Sequence, residues 1–159
     1  MRYLTCAQTA KLVRVALKTN FPTITFGVRS KTYSGGASIS IGWTDGPLSA
    51  DVEKVVGRFE GATFDGMIDL KSYHASTLDG EPAHFGADYI FCSRSYSAGF
   101  LQRRADKVAR RYGGDLVQVV TNKYGGVELV GGEGRWSSST YSYRDLVMQE
   151  AHKTRVAQI

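Results

Sequence analysis

Asp45, Asp65 and Asp69 are the residues best spaced for acid–base chemistry, with Asp65 and Asp69 four positions apart and Asp45 near them if the turn at 45–47 folds back. Such chemistry needs two carboxyls in unlike environments. The same aspartates also suit turns, where their carboxylates accept backbone hydrogen bonds, and that plainer use is favoured. His74, His84 and His152 are the only histidines; no pair has the short helical spacing of a zinc hydrolase, and there is no Cys-x-x-Cys. A metal gathered by His74 and His84 with Asp69, Asp79 and Glu81 competes with two polar loop histidines, and the second is preferred. Cys92 lies in the apolar run Ile90-Phe91-Cys92 and reads as a core thiol. Cys6 stands at a helix start, where the dipole favours a thiolate, but no base neighbours it. Gly131-Gly132-Glu133-Gly134 lacks the lysine of a phosphate-binding loop. No catalytic residue, metal or cofactor is assigned.

Cations and aromatics are the better candidates for function. Arg103, Lys107, Arg110 and Arg111 share one side of a helical pattern, with Arg104 beside them. Arg29, Lys31 and Tyr33 cluster near one hairpin tip, and Lys123 and Tyr124 near another. Lys and Arg interleaved with Tyr suit phosphates and stacked bases. An amphipathic helix also needs a solvated face, and that plainer use of the stripe is slightly favoured. Trp136, in the aromatic and polar run 136–143, is a further contact candidate.

The elements that must position these residues read clearly. Thr5 and Gln8 have the spacing of a capping box before a helix to Thr19, with Leu12, Val13, Ala16 and Leu17 on its buried side. Ile24, Phe26 and Val28 alternate with polar neighbours, as do Ala37, Ile39, Ile41 and Trp43, which predicts an antiparallel hairpin with a longer loop from Ser30 to Gly36. Asp45-Gly46-Pro47 turns the chain, and Ser49 is expected to cap a second helix with Val52, Val55, Val56 and Phe59 inward. Residues 61–85 read as irregular, with an Asp79-Gly80 turn; Phe64, Met67 and Ile68 are core candidates. A strand over 87–92 follows. Ser97 caps a long helix to Tyr112, stopped by Gly113-Gly114. Strands over 116–120 and 127–130 and a last helix begun by Ser142 and Asp145 complete the chain. The expected class is α+β, with antiparallel sheets packed on helices. One domain, 1–159, has halves 1–60 and 86–159, each helix–strand–strand–helix. That shared order suggests a degenerate repeat, although small α+β domains often share it by coincidence.

Composition bounds the rest. The 159 residues are 42% hydrophobic, enough for a self-sufficient core. No apolar run reaches membrane-spanning length and the start lacks a secretory pattern, so a reduced, cytoplasmic setting in the host cell is expected. A net charge of +5 and a pI near 9.3 favour acidic partners and oppose imitation of DNA.

Phe21-Pro22, Val28-Arg29-Ser30, Gly35-Gly36, Trp43-Thr44-Asp45-Gly46-Pro47 and Phe64-Asp65-Gly66-Met67-Ile68-Asp69, extended by Gly86-Ala87-Asp88-Tyr89-Ile90-Phe91-Cys92 and Arg94, resemble the large polyvalent protein-associated domains. The similarity spans about Thr5 to Tyr112. Such domains are carried by phages and plasmids, often in large fused proteins; a stand-alone chain is the expectation here. The resemblance implies protection of invading DNA and carries over no catalytic residue. The expected function is a small non-enzymatic counter-defence protein, of anti-CRISPR or antirestriction type, that binds a host defence complex without a membrane. The alternative is a basic nucleic-acid-binding accessory. An enzyme using Asp65, Asp69 and His74 is the third reading.

Overall fold

Thr5 starts the first helix through the capping box its spacing predicts: its side chain accepts from Gln8 N, and Gln8 Oε1 accepts from Thr5 N (2.8 Å). The computed structural model describes residues 1–65, 67, 70–113, 117–133 and 141–156, with backbone alone at 63–65. They form two compact units, Met1–Arg94 and Ser95–Val156. The class is α+β, and helix–strand–strand–helix occurs once in each unit.

In the first unit, α1 (Cys6–Asn20) buries Cys6, Thr9, Ala10, Val13, Ala16 and Leu17 against β2 (Gly27–Tyr33) and β3 (Gly36–Thr44). Val28 pairs with Ile41, Ser30 with Ile39 and Thr32 with Ala37. The ladder begins at Gly27, later than the alternation from Ile24 implied. In that register Ile24 falls opposite Asp45, beyond the end of β3. Phe26 packs on Trp43 (5.5 Å) and Phe21 (5.8 Å). The expected long hairpin loop is a tight turn, Ser34-Gly35, because Gly35 adopts φ 87° and lets Tyr33 pair with Gly36.

β8 (Tyr89–Ser95) joins β3 to complete the order β2-β3-β8. Asp88 N donates to Ala37 O (2.8 Å), and Ser93 lies beside Gly42, so β8 runs parallel to β3. Residues of α2 (Ser49–Val56) and the following 3-10 turn, Gly57–Phe59, close the core with Val52, Val56 and Phe59. Ser49 does not cap α2. The cap is Leu48, whose carbonyl accepts from Asp51 N (3.0 Å) and Val52 N (3.2 Å), leaving Ser49 as the first helical residue. Burial of Leu17, Ile39, Ile41, Val13, Val52 and Val56 stabilises the unit by about 1.5–3 kcal/mol per side chain.

Residues 61–65 and 70–85 are more regular than their composition suggests. β4 (Ala62–Asp65) pairs with β5 (Leu70–Tyr73). β6 (Ser76–Leu78) and β7 (Glu81–His84) form a hairpin whose turn places Asp79 at φ 55° and Gly80 at φ 82°. The N-terminal β1 (Arg2–Tyr3) adds to β7 in parallel. Met67, expected in the core, is 95% exposed, because the chain turns there between β4 and β5. The Phe64 side chain, Ile68 and Asp69 lie outside the described residues.

In the second unit, Ser97 caps α3 (Ala98–Tyr112) by accepting from Phe100 N, and Gly113 ends it at φ 60°. β9 (Gln118–Thr121) and β10 (Val127–Val130) form a hairpin under α3, and α4 (Tyr143–Lys153) lies along α3. Ser142 and Asp145 form the expected capping box. Ala105, Val108, Val117, Tyr143 and Val147 make one core cluster, and Phe100, Leu101 and Ala151 another. Among the described residues no helix is long and apolar enough to cross a membrane.

Candidate nucleic-acid interface

A strand shows alternate side chains to opposite faces. The inner face of β2-β3-β8 carries Val28, Ile39, Ile41, Trp43, Ile90 and Cys92 toward the core. Arg94 on that face holds the turn: its Nε donates to Asp45 O (2.7 Å) and Nη2 to Gly46 O (3.1 Å). Trp43 Nε1 donates to Pro47 O (3.1 Å), and Asp45 and Gly46 adopt φ 56° and 59°. The string Trp43-Thr44-Asp45-Gly46-Pro47 is therefore held as a structural lock.

The outer face is open. On edge strand β2, Arg29, Lys31 and Tyr33 are exposed, and they face Ser40, Ser38 and Gly36 across the ladder. The Tyr33 ring lies over Gly36. On β8, Phe91 is 58% exposed and stacks on half-buried Tyr89 at 6.2 Å with 27° between planes. The middle strand shows Gly36, Ser38, Ser40 and Gly42 here, of which Ser38 is buried. No carboxylate stands at the outward positions of these strands. The Asp88 carboxylate lies against the outward side of Gly36 near the Tyr33 ring, where Lys71 Nζ binds it (2.9 Å), and Glu60 Oε1 accepts from Ile90 N (3.1 Å) along β8. Sequence reading found the β2 residues and missed Tyr89 and Phe91. Their signal was the alternation of Tyr89, Phe91 and Ser93 against Ile90, Cys92 and Arg94, obscured by reading 90–92 as one buried run.

The α3 stripe is divided. Arg103, Arg110 and Arg111 are exposed. Lys107 is engaged by Glu150 on α4 (2.6 Å). Arg104 lies over the Phe100 ring (5.1 Å) and donates to Thr154 Oγ1 (3.2 Å), so it packs between α3 and α4. In the β9–β10 turn, Asn122 Oδ1 accepts from Tyr124 N (3.0 Å) and Gly126 N (2.8 Å), presenting Tyr124 at 84% exposure with Lys123 Nζ 5.0 Å from its ring. Trp136 lies outside the described residues.

The described candidate reactive groups each have other neighbours. Asp45 sits in the lock, Asp69 and the Asp65 side chain are not described, and His74 Nδ1 meets Glu60 O (3.3 Å). His84 lies between the rings of Tyr3 and Tyr73, and His152 Nδ1 meets Tyr96 Oη (2.8 Å). Among the described residues no group of three metal-ligating side chains gathers. Cys6 is not activated by its helix start: burial raises its pKa. Cys92 is half-buried, and burial, then the charges of Glu53 and Glu60, push it up to about 11. Both thiols are free.

An α+β domain with one sheet face packed on helices and the other open and basic is thus the class defined by fold and site. The model of the family described as Large polyvalent protein associated domain 29 matches residues 4–97, and the chain belongs to that family. The match spans the first unit and stops at Ser97, before α3. No curated protein and no solved structure matches the chain.

Proposed function

We propose that this chain is a small non-enzymatic counter-defence protein of a phage or plasmid, acting in the host cytoplasm by binding a host defence complex. The observation that carries this reading is the exposed ridge of Arg103, Arg110 and Arg111 on α3, on a chain of a family that the resemblance places on mobile elements. Residues 95–156 hold ten of the twenty Lys and Arg but six of the fifteen Asp and Glu, so the excess charge is concentrated around that helix. A ridge of this kind suits an acidic protein surface or the phosphate path of a nucleic-acid-handling complex. Among the described candidates for catalysis, Asp45 lies in its turn, Cys92 has a raised pKa and His152 meets Tyr96.

The test is plaquing efficiency of a susceptible phage on hosts carrying single restriction or CRISPR systems, with and without the protein. Wild type should restore plaquing on at least one defended host, and the double variant Arg103→Glu, Arg110→Glu should lose the effect while staying folded. No protection across the panel, or full protection by the charge-reversed variant, overturns the reading.

A further inference from the structure

We infer that the open face of β2-β3-β8 is a binding site for single-stranded nucleic acid, with phosphates along β2 and bases stacked on β8. Three features of one face point to that ligand. Arg29 and Lys31 stand two residues apart on an edge strand, both exposed, and supply cations along a line. Tyr89 and Phe91 form a stacked pair on the opposite edge, with Phe91 58% exposed. Ser40 and Gly42 between them keep the middle of the sheet low, so flat bases can lie across it. Arg29 faces Ser40 across the β2–β3 ladder, and β8 runs along the other side of β3, with Ile90 and Cys92 turned to the core and Phe91 therefore outward beyond the middle strand. Cation, low floor and ring therefore form one row.

The width of that row decides the ligand. Neighbouring strands lie about 4.8 Å apart, so the cation line and the ring line are separated by about 10 Å, two strand spacings. In a single strand the bases swing free of the backbone and can meet an aromatic face while the phosphates meet cations. A duplex keeps its bases stacked inside and would offer Phe91 nothing but backbone. An acidic protein surface would use Arg29 and Lys31 but leave Tyr89, Phe91 and Tyr33 without a role. Nothing assigned to this face rests on a residue of α3 or on which partner the α3 arginines serve.

The experiment uses the full chain and fluorescein-labelled oligo(dT) and oligo(U) of about 15 nucleotides, matched to the site size of one such module, with a duplex of the same length as control. Anisotropy should show single-strand binding that exceeds duplex binding. Phe91→Ala should weaken it about tenfold, the loss of one stacked base, and Phe91→Trp should retain it. Arg29→Ala with Lys31→Ala should lower the slope of log affinity against log salt by about 1.4, two phosphates at about 0.7 each. Arg103→Glu, Arg110→Glu should leave single-strand binding intact, so failure of the ridge and failure of the face are told apart. Absence of single-strand binding by folded wild type at low salt overturns the assignment. So does binding that survives Phe91→Ala and the β2 double variant together, or preference for duplex. Phe91, Arg29 and Lys31 are exposed, and circular dichroism confirms that the variants fold.

Discussion

Replacing Arg94 tests whether the Trp43–Pro47 string is a lock or a functional loop. The guanidinium donates to Asp45 O at 2.7 Å and Gly46 O at 3.1 Å, carbonyls of a turn held at positive φ. Hydrogen bonds from a charged donor contribute about 1.5–3 kcal/mol each. Arg94 is only half-buried, so water takes up part of what is lost, and Arg94→Ala should destabilise the first unit by about 2–4 kcal/mol. With a slope of about 2 kcal/mol per molar urea, that moves the midpoint down by about 1–2 M. Trp43 fluorescence in a Trp136→Phe background reports on the first unit alone. Arg94→Lys keeps the charge but not the fork, and should recover no more than half of the loss. A loss below about 0.5 kcal/mol, or full recovery by lysine, would refute the lock and return Asp45 to the list of functional residues.

Three further outcomes follow from the same structure. A Cβ at Gly86 would run into Leu4 O, so Gly86→Ala should strip β1 from β7 and lower the urea midpoint, whereas Gly57→Ala, with open space around it, should not. Cys92, at about 11, is about 0.1% thiolate at pH 8 against about a quarter for an ordinary thiol; iodoacetamide should modify it about a hundredfold more slowly than glutathione, with the rate rising tenfold per pH unit, and rapid labelling by mass spectrometry would contradict this. Lys107 holds the Glu150 carboxyl below its ordinary pKa, so their pair stabilises fully above the unfolded carboxylate range and is lost as pH falls through the lower native value; Lys107→Gln should cost about 0.2–1 kcal/mol at pH 7, and its unfolding curve should converge on that of wild type near pH 2.

What the sequence made legible was local. Thr5 with Gln8, Ser97, and Ser142 with Asp145 satisfy helix ends within a few residues, and α1, α3 and α4 start where those signals stand. What it hid depends on partners far along the chain. β1 is two residues long and exists only through β7, and the strands over 62–84 are too short for a period to register. The α3 stripe was readable as a face, but Lys107 and Arg104 are drawn off by Glu150 and Thr154 on α4, more than forty positions away. Likewise Phe91 belongs to the outer face only because Ile90 and Cys92 pack on the core formed by α1 and α2.

The lock and the proposed site are mechanically one object. A slip of one residue turns a strand's inner side chains outward. Trp43 Nε1 bound to Pro47 O and Arg94 bound to Asp45 and Gly46 pin the ends of β3 and β8 together, and that pinning keeps Phe91 on the outer face with Ser40 rather than on the inner face with Ile39 and Ile41. Trp43, Asp45, Gly46, Pro47 and Arg94 are thus occupied in fixing register, while Arg29, Lys31 and Phe91 stand at outward positions and carry recognition in the proposed site. Two consequences separate these roles. Changing the outward residues should alter binding with little effect on stability, whereas Arg94→Lys should weaken oligonucleotide binding even where the protein remains folded, because the row of cation, serine and ring loses its alignment. Equal binding by folded Arg94→Lys and wild type would uncouple the two and leave the lock as a stability element alone.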